Sequence, residues 1–287
     1  MKVLYLYSDK TGVAKSDRKV SRLNGKLKEI YSDITIKKTE SLDDFKNSIL
    51  NSAGVYDAVI VAGGDGTLKY AVGVLMGIAK ENRPVLGYIP TGTVNDAGKA
   101  VGIKGSIRQS LKVLKAGNID TVDVCKVNNE YFNFVCAAGA FSDISYVVKR
   151  GSKKILGRLA YYFYALSQVF KRRVVEYEIE TKDGKFTGKT PFILVMNSRN
   201  VGGFPVNFDF SVKDGVVEVY ITKPGLFNGL LHYALFKVKT TKLKVDYIKI
   251  SLKNDEYWCF DGERGDKKTV EIKVLNQELK VIGKAVK

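Results

Sequence analysis

Through residues 1–120 the chain alternates short apolar runs with longer stretches in which apolar positions recur every three or four residues. The short runs, 3–7, 34–37, 58–62 and 85–89, are rich in Val, Ile and Tyr and predict strands. The longer ones, 15–31, 42–53, 67–80, 97–101 and 107–115, predict helices, the last closing on Gly117 as a C-terminal cap. Strands and helices in that order imply a parallel sheet flanked by helices.

From residue 121 the texture changes. Runs at 121–127, 130–137, 174–181, 184–187, 192–198, 216–222, 247–252 and a tail from 269 read as strands. Turn signals at Lys182-Asp183-Gly184-Lys185 and Asp214-Gly215 separate them, and only 156–170 and 226–237 keep a helical period. The chain therefore reads as an α/β domain over 1–120 and a predominantly antiparallel, β-rich domain over 121–287.

Composition narrows the function classes. No window reaches the ~18 to 20 apolar residues that cross a bilayer, and the richest stretch, 159–170, is interrupted by Ser167 and Gln168. The opening MKVLYLYSDK is too short an apolar run for a secretory signal, so the expectation is a cytoplasmic protein. Cys125, Cys136 and Cys259 are odd in number and widely spaced, which argues against a disulfide framework or a C-x-x-C zinc site. A single histidine, His232, rules out histidine-rich metal sites. The net charge of +17 points to an anionic partner: nucleic acid, a phosphorylated substrate or acidic lipid.

The candidate chemistry begins at DAVIVAGGDGTLKYAVGVL, where a strand runs into Gly63, Gly64, Asp65, Gly66 and Thr67 and then into an amphipathic helix. Glycines at a strand-to-helix turn let backbone N–H groups approach a phosphate, and the helix N-terminus adds partial positive charge. A second turn, PTGTVND at 90–96, also follows a strand and supplies Thr91, Gly92, Thr93, Asn95 and Asp96. Two such turns at one edge of a parallel sheet meet where these sheets bind ligands. Thr93 and Asn95 offer hydrogen bonds to phosphate or ribose, and Asp65 and Asp96 facing a triphosphate require a divalent cation. Gly188-Lys189-Thr190 ends like a phosphate loop, but the glycine needed five positions earlier is Asp183. The basic run Lys171-Arg172-Arg173 lacks an aromatic RNA-binding signature, which leaves nucleic acid out. A late acidic turn, Trp258-Cys259-Phe260-Asp261-Gly262-Glu263, presents two carboxylates suited to an acceptor hydroxyl or simply to a hairpin.

Taken in order, GGDGT at 63–67, PTGTVND at 90–96 and DGE at 261–263 resemble the diacylglycerol kinase catalytic-domain family, especially its soluble bacterial lipid kinases. NFVCAAGAFSDIS from Asn133, KKILGRLAYYFYAL from Lys153, MNSRNVGGFPV from Met196 and KDGVVEV from Lys213 extend the resemblance over nearly the whole chain. It implies a Rossmann-like three-layer nucleotide-binding domain, an antiparallel β-rich domain and an active site in the cleft between them. It also implies ATP as donor, a lipid hydroxyl as acceptor, Asp65 and Asp96 on ATP and Mg²⁺, and Glu263 with Asp261 as general base. A structural Mg²⁺ would take the Asp214 carboxylate and the carbonyls of Ser211 and Val216. The Asn-Pro that usually follows the first strand is replaced by Tyr7-Ser8-Asp9-Lys10-Thr11-Gly12, leaving Thr11 and Gly12 to touch phosphate, and Thr39 falls where relatives place a nucleotide-contacting threonine.

Under this resemblance the positive charge acquires a use. Lys149, Arg150, Lys153, Lys154, Arg158 and Lys171, Arg172, Arg173 flank the aromatic stretch 161–170 and suggest peripheral attachment to an anionic membrane, beside the plain alternative that the aromatics pack a core. NAD kinases share a GGDGT loop, but their Asn-rich N-x-G-x-L-G-F segment is absent. Sphingoid bases, ceramide, polyprenols, a soluble acceptor, and a catalytically silent nucleotide sensor stay open beside diacylglycerol. An exposed strand edge would allow a homodimer.

Overall fold

The computed structural model describes residues 1–8, 16–92, 95, 98–99, 106–132, 135–139, 174–201, 204–205, 211–223, 240–253, 258–260, 263–264 and 269–284, with backbone alone at 200–201, 204–205 and 263–264. The chain forms two compact units, Met1–Asp123 with Gln277–Lys287, and Val124–Asn276.

In the first unit β1 (Lys2–Ser8), α1 (Asp17–Ile30), β2 (Asp33–Thr39), α2 (Leu42–Leu50), β3 (Ala58–Gly63), α3 (Asp65–Met76), β4 (Val85–Pro90) and α4 (Ile107–Ala116) follow one another. The strands pair in parallel in the order β2-β1-β3-β4. β3 and β4 are buried at every position, as central strands covered on both faces must be, which is why they read as continuous apolar runs. Val3, Tyr5, Ala58, Ile60, Val85 and Ile89 share one core with Leu23 and Leu27 of α1 and Leu114 of α4. Alternation sends Leu4, Leu6, Val59, Val61, Leu86 and Tyr88 to the opposite face, the side of α2 and α3. The result is the expected helix-sheet-helix sandwich. Ser41 and Ser106 cap α2 and α4 by accepting the Asp44 and Gln109 amides at 3.0 and 3.3 Å. Gly117, left-handed at φ 64°, closes α4 as its sequence predicts.

The chain continues with β5 (Ile119–Val127), which crosses from the first unit to the second, then β6 (Glu130–Phe132), β7 (Val135–Gly139), β8 (Val175–Thr181), β9 (Gly184–Thr190), β10 (Phe192–Met196), β11 (Asn200–Val201), β12 (Phe204–Pro205), β13 (Val217–Thr222), β14 (Thr240–Val245), β15 (Tyr247–Leu252), β16 (Cys259–Phe260), β17 (Glu263–Arg264) and β18 (Thr269–Ile282), which crosses back. β9, β8, β15 and β18 form one antiparallel array, and β14-β13-β10-β7-β16-β17 a second. Ile179, Ile250 and Ile272 from the first meet Ile193, Val195, Val219 and Phe260 from the second in one core. The other face of the first array is charged: Lys185, Glu180, Lys249 and Glu271 stand opposite one another across successive strands, alternating in sign.

Several expectations change. The run 130–137 is divided between β6, which pairs with β5, and β7, which joins the other array. β14 was missed because its alternation, Thr-Thr-Lys-Leu-Lys-Val, is carried by lysines at a sheet edge rather than by a strong apolar run. The tail, assigned to the second domain, returns to the first unit, where Val281 pairs with Leu86 and Ile282 joins the core. Alternation shows a strand but not which sheet it enters. Of the helix expected at 97–101 only 98–99 is described, and 156–170 and 226–237 lie outside the described residues. Gly188-Lys189-Thr190 lies within β9, as a hairpin rather than a phosphate loop.

Candidate functional site

β3 ends at Gly63 and α3 begins at Asp65, two residues before the predicted start, so the glycine pair itself makes the turn. Gly64 is the N-cap, extended at φ −94° and ψ −171°, and among the described residues no side chain caps the helix. The first intrahelical bond runs from the Leu68 N–H to the Gly64 carbonyl at 3.1 Å. The N–H groups of Gly64, Gly66 and Thr67 meet no acceptor among the described residues, leaving the positive end of a 12-residue helix uncapped. Asp65, half-buried, occupies the first turn as a helical residue rather than as the cap.

The glycines are enforced by close approach. A Cβ on Gly63 would lie 2.3 Å from the Thr67 Cβ, so Thr67 folds back over the end of β3 only because Gly63 lacks one. A Cβ on Gly92 would lie 2.8 Å from the Gly64 Cα and 2.7 Å from Asn95 Oδ1. The two loops expected at one sheet edge therefore touch, backbone to backbone, at Gly64 and Gly92. Hydrogen bonds fasten the contact. The Gly63 carbonyl accepts the Thr91 N–H at 2.8 Å and the Tyr88 hydroxyl at 2.9 Å, which fills both of its lone pairs.

Asn95 is buried and left-handed at φ 55°. Its Oδ1 accepts the Gly92 N–H at 3.0 Å and its Nδ2 donates to the Gly92 carbonyl at 2.8 Å, so the side chain predicted for phosphate or ribose brackets its own loop. Thr91 Oγ1 is buried with no hydrogen-bond partner among the described residues. Such orphans are rare in folded proteins and mark a place where another group completes the bonding. Tyr88 is fully buried, and its burial together with the negative charge of Asp65 pushes the phenol above its usual range. Sequence reasoning passed over Tyr88. Its signal was a single polar aromatic in the otherwise aliphatic strand Val-Leu-Gly-Tyr-Ile-Pro.

The other predicted residues divide. Thr39 ends β2 beside Ser8 at the same sheet edge, buried, with its hydroxyl donating to the Tyr7 carbonyl at 3.2 Å. Thr11, Gly12, Thr93, Asp96 and Asp261 lie outside the described residues, and of Glu263 only the backbone is described, paired with Phe260 across β16 and β17. Asp214 is exposed in a turn made by Gly215 at φ 72°, and its Oδ1 accepts the Val216 N–H at 3.4 Å, with Ser211 opening the segment. Among the described residues no group of three His, Cys, Asp or Glu gathers as a metal site. What the structure brings together is Gly63, Gly64, Asp65, Gly66, Thr67, Thr91, Gly92 and Asn95. A helix N-terminus uncapped and a buried hydroxyl orphaned among the described residues, beside a cradle that any Cβ would fill, are features that suit an anionic phosphoryl group.

The similarities to known proteins follow the same residues. The diacylglycerol kinase catalytic domain matches residues 2–127, which include both glycine loops. A Staphylococcus epidermidis diacylglycerol kinase is 33% identical over 236 residues, 79% of this chain and 74% of the relative. A Bacillus subtilis diacylglycerol kinase is 30% identical over 73% of this chain and 72% of its own length. A Bacillus anthracis structure described as a diacylglycerol kinase superposes with a TM-score of 0.84 over 99% of this chain and 96% of its own, and at 23% identity it speaks to the fold alone. With curated relatives 30% and 33% identical that span more than 70% of both chains, and the matched domain including both glycine loops, the chain belongs to the diacylglycerol kinase family.

Proposed function

We propose that the protein is an ATP-dependent lipid kinase that transfers the γ-phosphoryl group to the primary hydroxyl of a lipid, diacylglycerol giving phosphatidic acid. Family membership supports the reaction class, and the observation that carries the donor side is the start of α3 held against Gly92, which among the described residues is uncapped and has Thr91 Oγ1 unpartnered beside it. In this reading the amides of Gly64, Gly66 and Thr67 and the Thr91 hydroxyl hold donor phosphates, and Asp65 and Asp96 hold Mg²⁺. Bound magnesium would offset phosphate charge and orient the triphosphate. The acceptor oxygen attacks the γ-phosphorus as the β–γ bridging bond breaks. Its proton passes to Glu263, beside Asp261, and ADP departs. Asp214, with the Ser211 and Val216 carbonyls, would hold a second, structural Mg²⁺.

Among the described residues no helix is long and apolar enough to cross a membrane. A bilayer-resident acceptor is then reached from the surface, and the basic residues at 149–158 and 171–173, outside the described residues, are the proposed contacts. Charge reversal of Lys171, Arg172 and Arg173 should weaken binding to anionic vesicles, and unchanged binding would remove that assignment. The test of the function is transfer from γ-labelled ATP, with Mg²⁺, to a lipid panel in mixed micelles. The wild type should label one lipid, and Asp65→Ala and Glu263→Ala should each lose at least roughly a hundredfold in rate. ATP binding without labelling of any lipid would move the assignment to a soluble acceptor or a silent nucleotide sensor.

A further inference from the structure

We propose that Tyr88 is a positioning residue of the donor loop: its hydroxyl fixes the Gly63–Gly64 peptide plane so that the Gly64 N–H stays aimed at the donor phosphates. The inference rests on the ATP reading above and adds a residue that the motif itself does not contain.

The argument starts from the peptide group. In a planar trans peptide the carbonyl oxygen and the following N–H point in opposite directions, so fixing one aims the other. The Gly63 oxygen is fixed toward β4 by the Thr91 N–H at 2.8 Å and the Tyr88 hydroxyl at 2.9 Å, and the Gly64 N–H is thereby turned away from β4. The plane between two consecutive glycines is also the one that rotates most easily, because neither residue has a Cβ to resist it. Of its two restraints, Thr91 belongs to the facing loop and would shift with it. Tyr88 belongs to a central strand, in register with Val61 of β3, and is fully buried. It is the restraint that does not depend on the loops.

The hydroxyl is suited to this duty throughout the working pH range. Burial and the neighbouring Asp65 charge both oppose its ionisation, so it remains a donor. Phenylalanine would fill the same space in the core. It would leave the Gly63 carbonyl with its Thr91 bond, so that what Tyr88→Phe removes is the second restraint rather than the packing.

The experiment uses the full chain with two readouts. Backbone amide relaxation dispersion at Gly64, without nucleotide, reports the peptide plane. Calorimetric titration with ATP and Mg²⁺ reports the donor site. In Tyr88→Phe the Gly64 amide should show exchange on the microsecond-to-millisecond scale that the wild type lacks. ATP affinity should fall about fivefold, and the KM for lipid should stay unchanged. A quiet Gly64 and wild-type affinity in Tyr88→Phe would overturn the inference and leave the kinase reading standing. A wild type that binds no ATP would overturn the kinase reading and the donor role with it, while motion at Gly64 in Tyr88→Phe would still support the peptide lock.

Discussion

Two threonine hydroxyls, one in each unit, are sealed from solvent in opposite states. Thr190, fully buried in the second unit, donates to the Thr222 carbonyl at 2.6 Å and accepts the Phe192 N–H at 3.1 Å, while the Thr222 hydroxyl donates to the Phe192 carbonyl at 3.1 Å. Every group in that cluster is used. Thr91 Oγ1 in the first unit is as inaccessible and meets nothing among the described residues, although the Thr91 amide is bonded to Gly63. Buried polar groups that serve stability close on one another, and those that serve a ligand are left open. Glycines divide in the same way. Gly139 is left-handed at φ 93°, and a Cβ there would lie 2.4 Å from the Pro191 carbonyl oxygen within a sheet. Gly92 also makes a close contact, 2.8 Å from an added Cβ to the Gly64 Cα, but between two loops at a sheet edge.

The sharpest break of this comparison is Gly92→Ala. It should separate the loops and lower kcat/KM at least about a hundredfold, as misplaced catalytic groups do, with the thermal midpoint little changed. Gly139→Ala should do the reverse. Strain at a positive φ together with a backbone clash should destabilise by about 2–4 kcal/mol in a denaturant melt, with the kcat of the folded fraction intact. The threonines give a smaller contrast. Thr190→Val removes the hydroxyl's bonds to the Phe192 N–H and the Thr222 carbonyl and should cost roughly 1–3 kcal/mol. Thr91→Val removes no hydrogen bond among the described residues, so stability should hold while ATP affinity drops.

The smallest effect is a pH dependence in the first unit. Lys80 at 2.8 Å and Arg83 at 3.2 Å hold the Glu278 carboxyl below the ordinary glutamate value of 4.5. A depressed folded value stabilises above the unfolded one, and that contribution disappears as pH falls through the folded value. Glu278→Gln should therefore flatten stability against pH below about 4.5 and cost no more than about 1 kcal/mol near neutrality. An unchanged acid limb in the denaturation profile would show that the pair contributes nothing.

What the sequence made legible was local and periodic. Strand β3, the glycine run after it, the Gly117 cap and the Lys182-Asp183-Gly184 hairpin each have a cause within a few residues, so each could be read. The position of the two glycine loops at one sheet edge was legible too, because parallel topology places them there. The closure of Asn95 on Gly92 was not. An asparagine at a turn offers the same donor and acceptor to a ligand as to its own backbone, and only the left-handed loop geometry decides between them. Tyr88 was hidden for a different reason: its partner, the Gly63 carbonyl, belongs to a neighbouring strand and has no sequence signature. The path of β18 into the first unit depends on long-range pairing of Val281 with Leu86, which alternation cannot specify.

The most direct test of the donor loops is a titration of ¹⁵N-labelled protein with ATP and Mg²⁺, followed at the backbone amides. The largest shifts should fall on Gly64, Gly66 and Thr67, with a smaller response at Gly92, while the amides of β10 and β13 stay in place. Saturable ATP binding that leaves Gly64, Gly66 and Thr67 unmoved would contradict the assignment of donor phosphates to the start of α3.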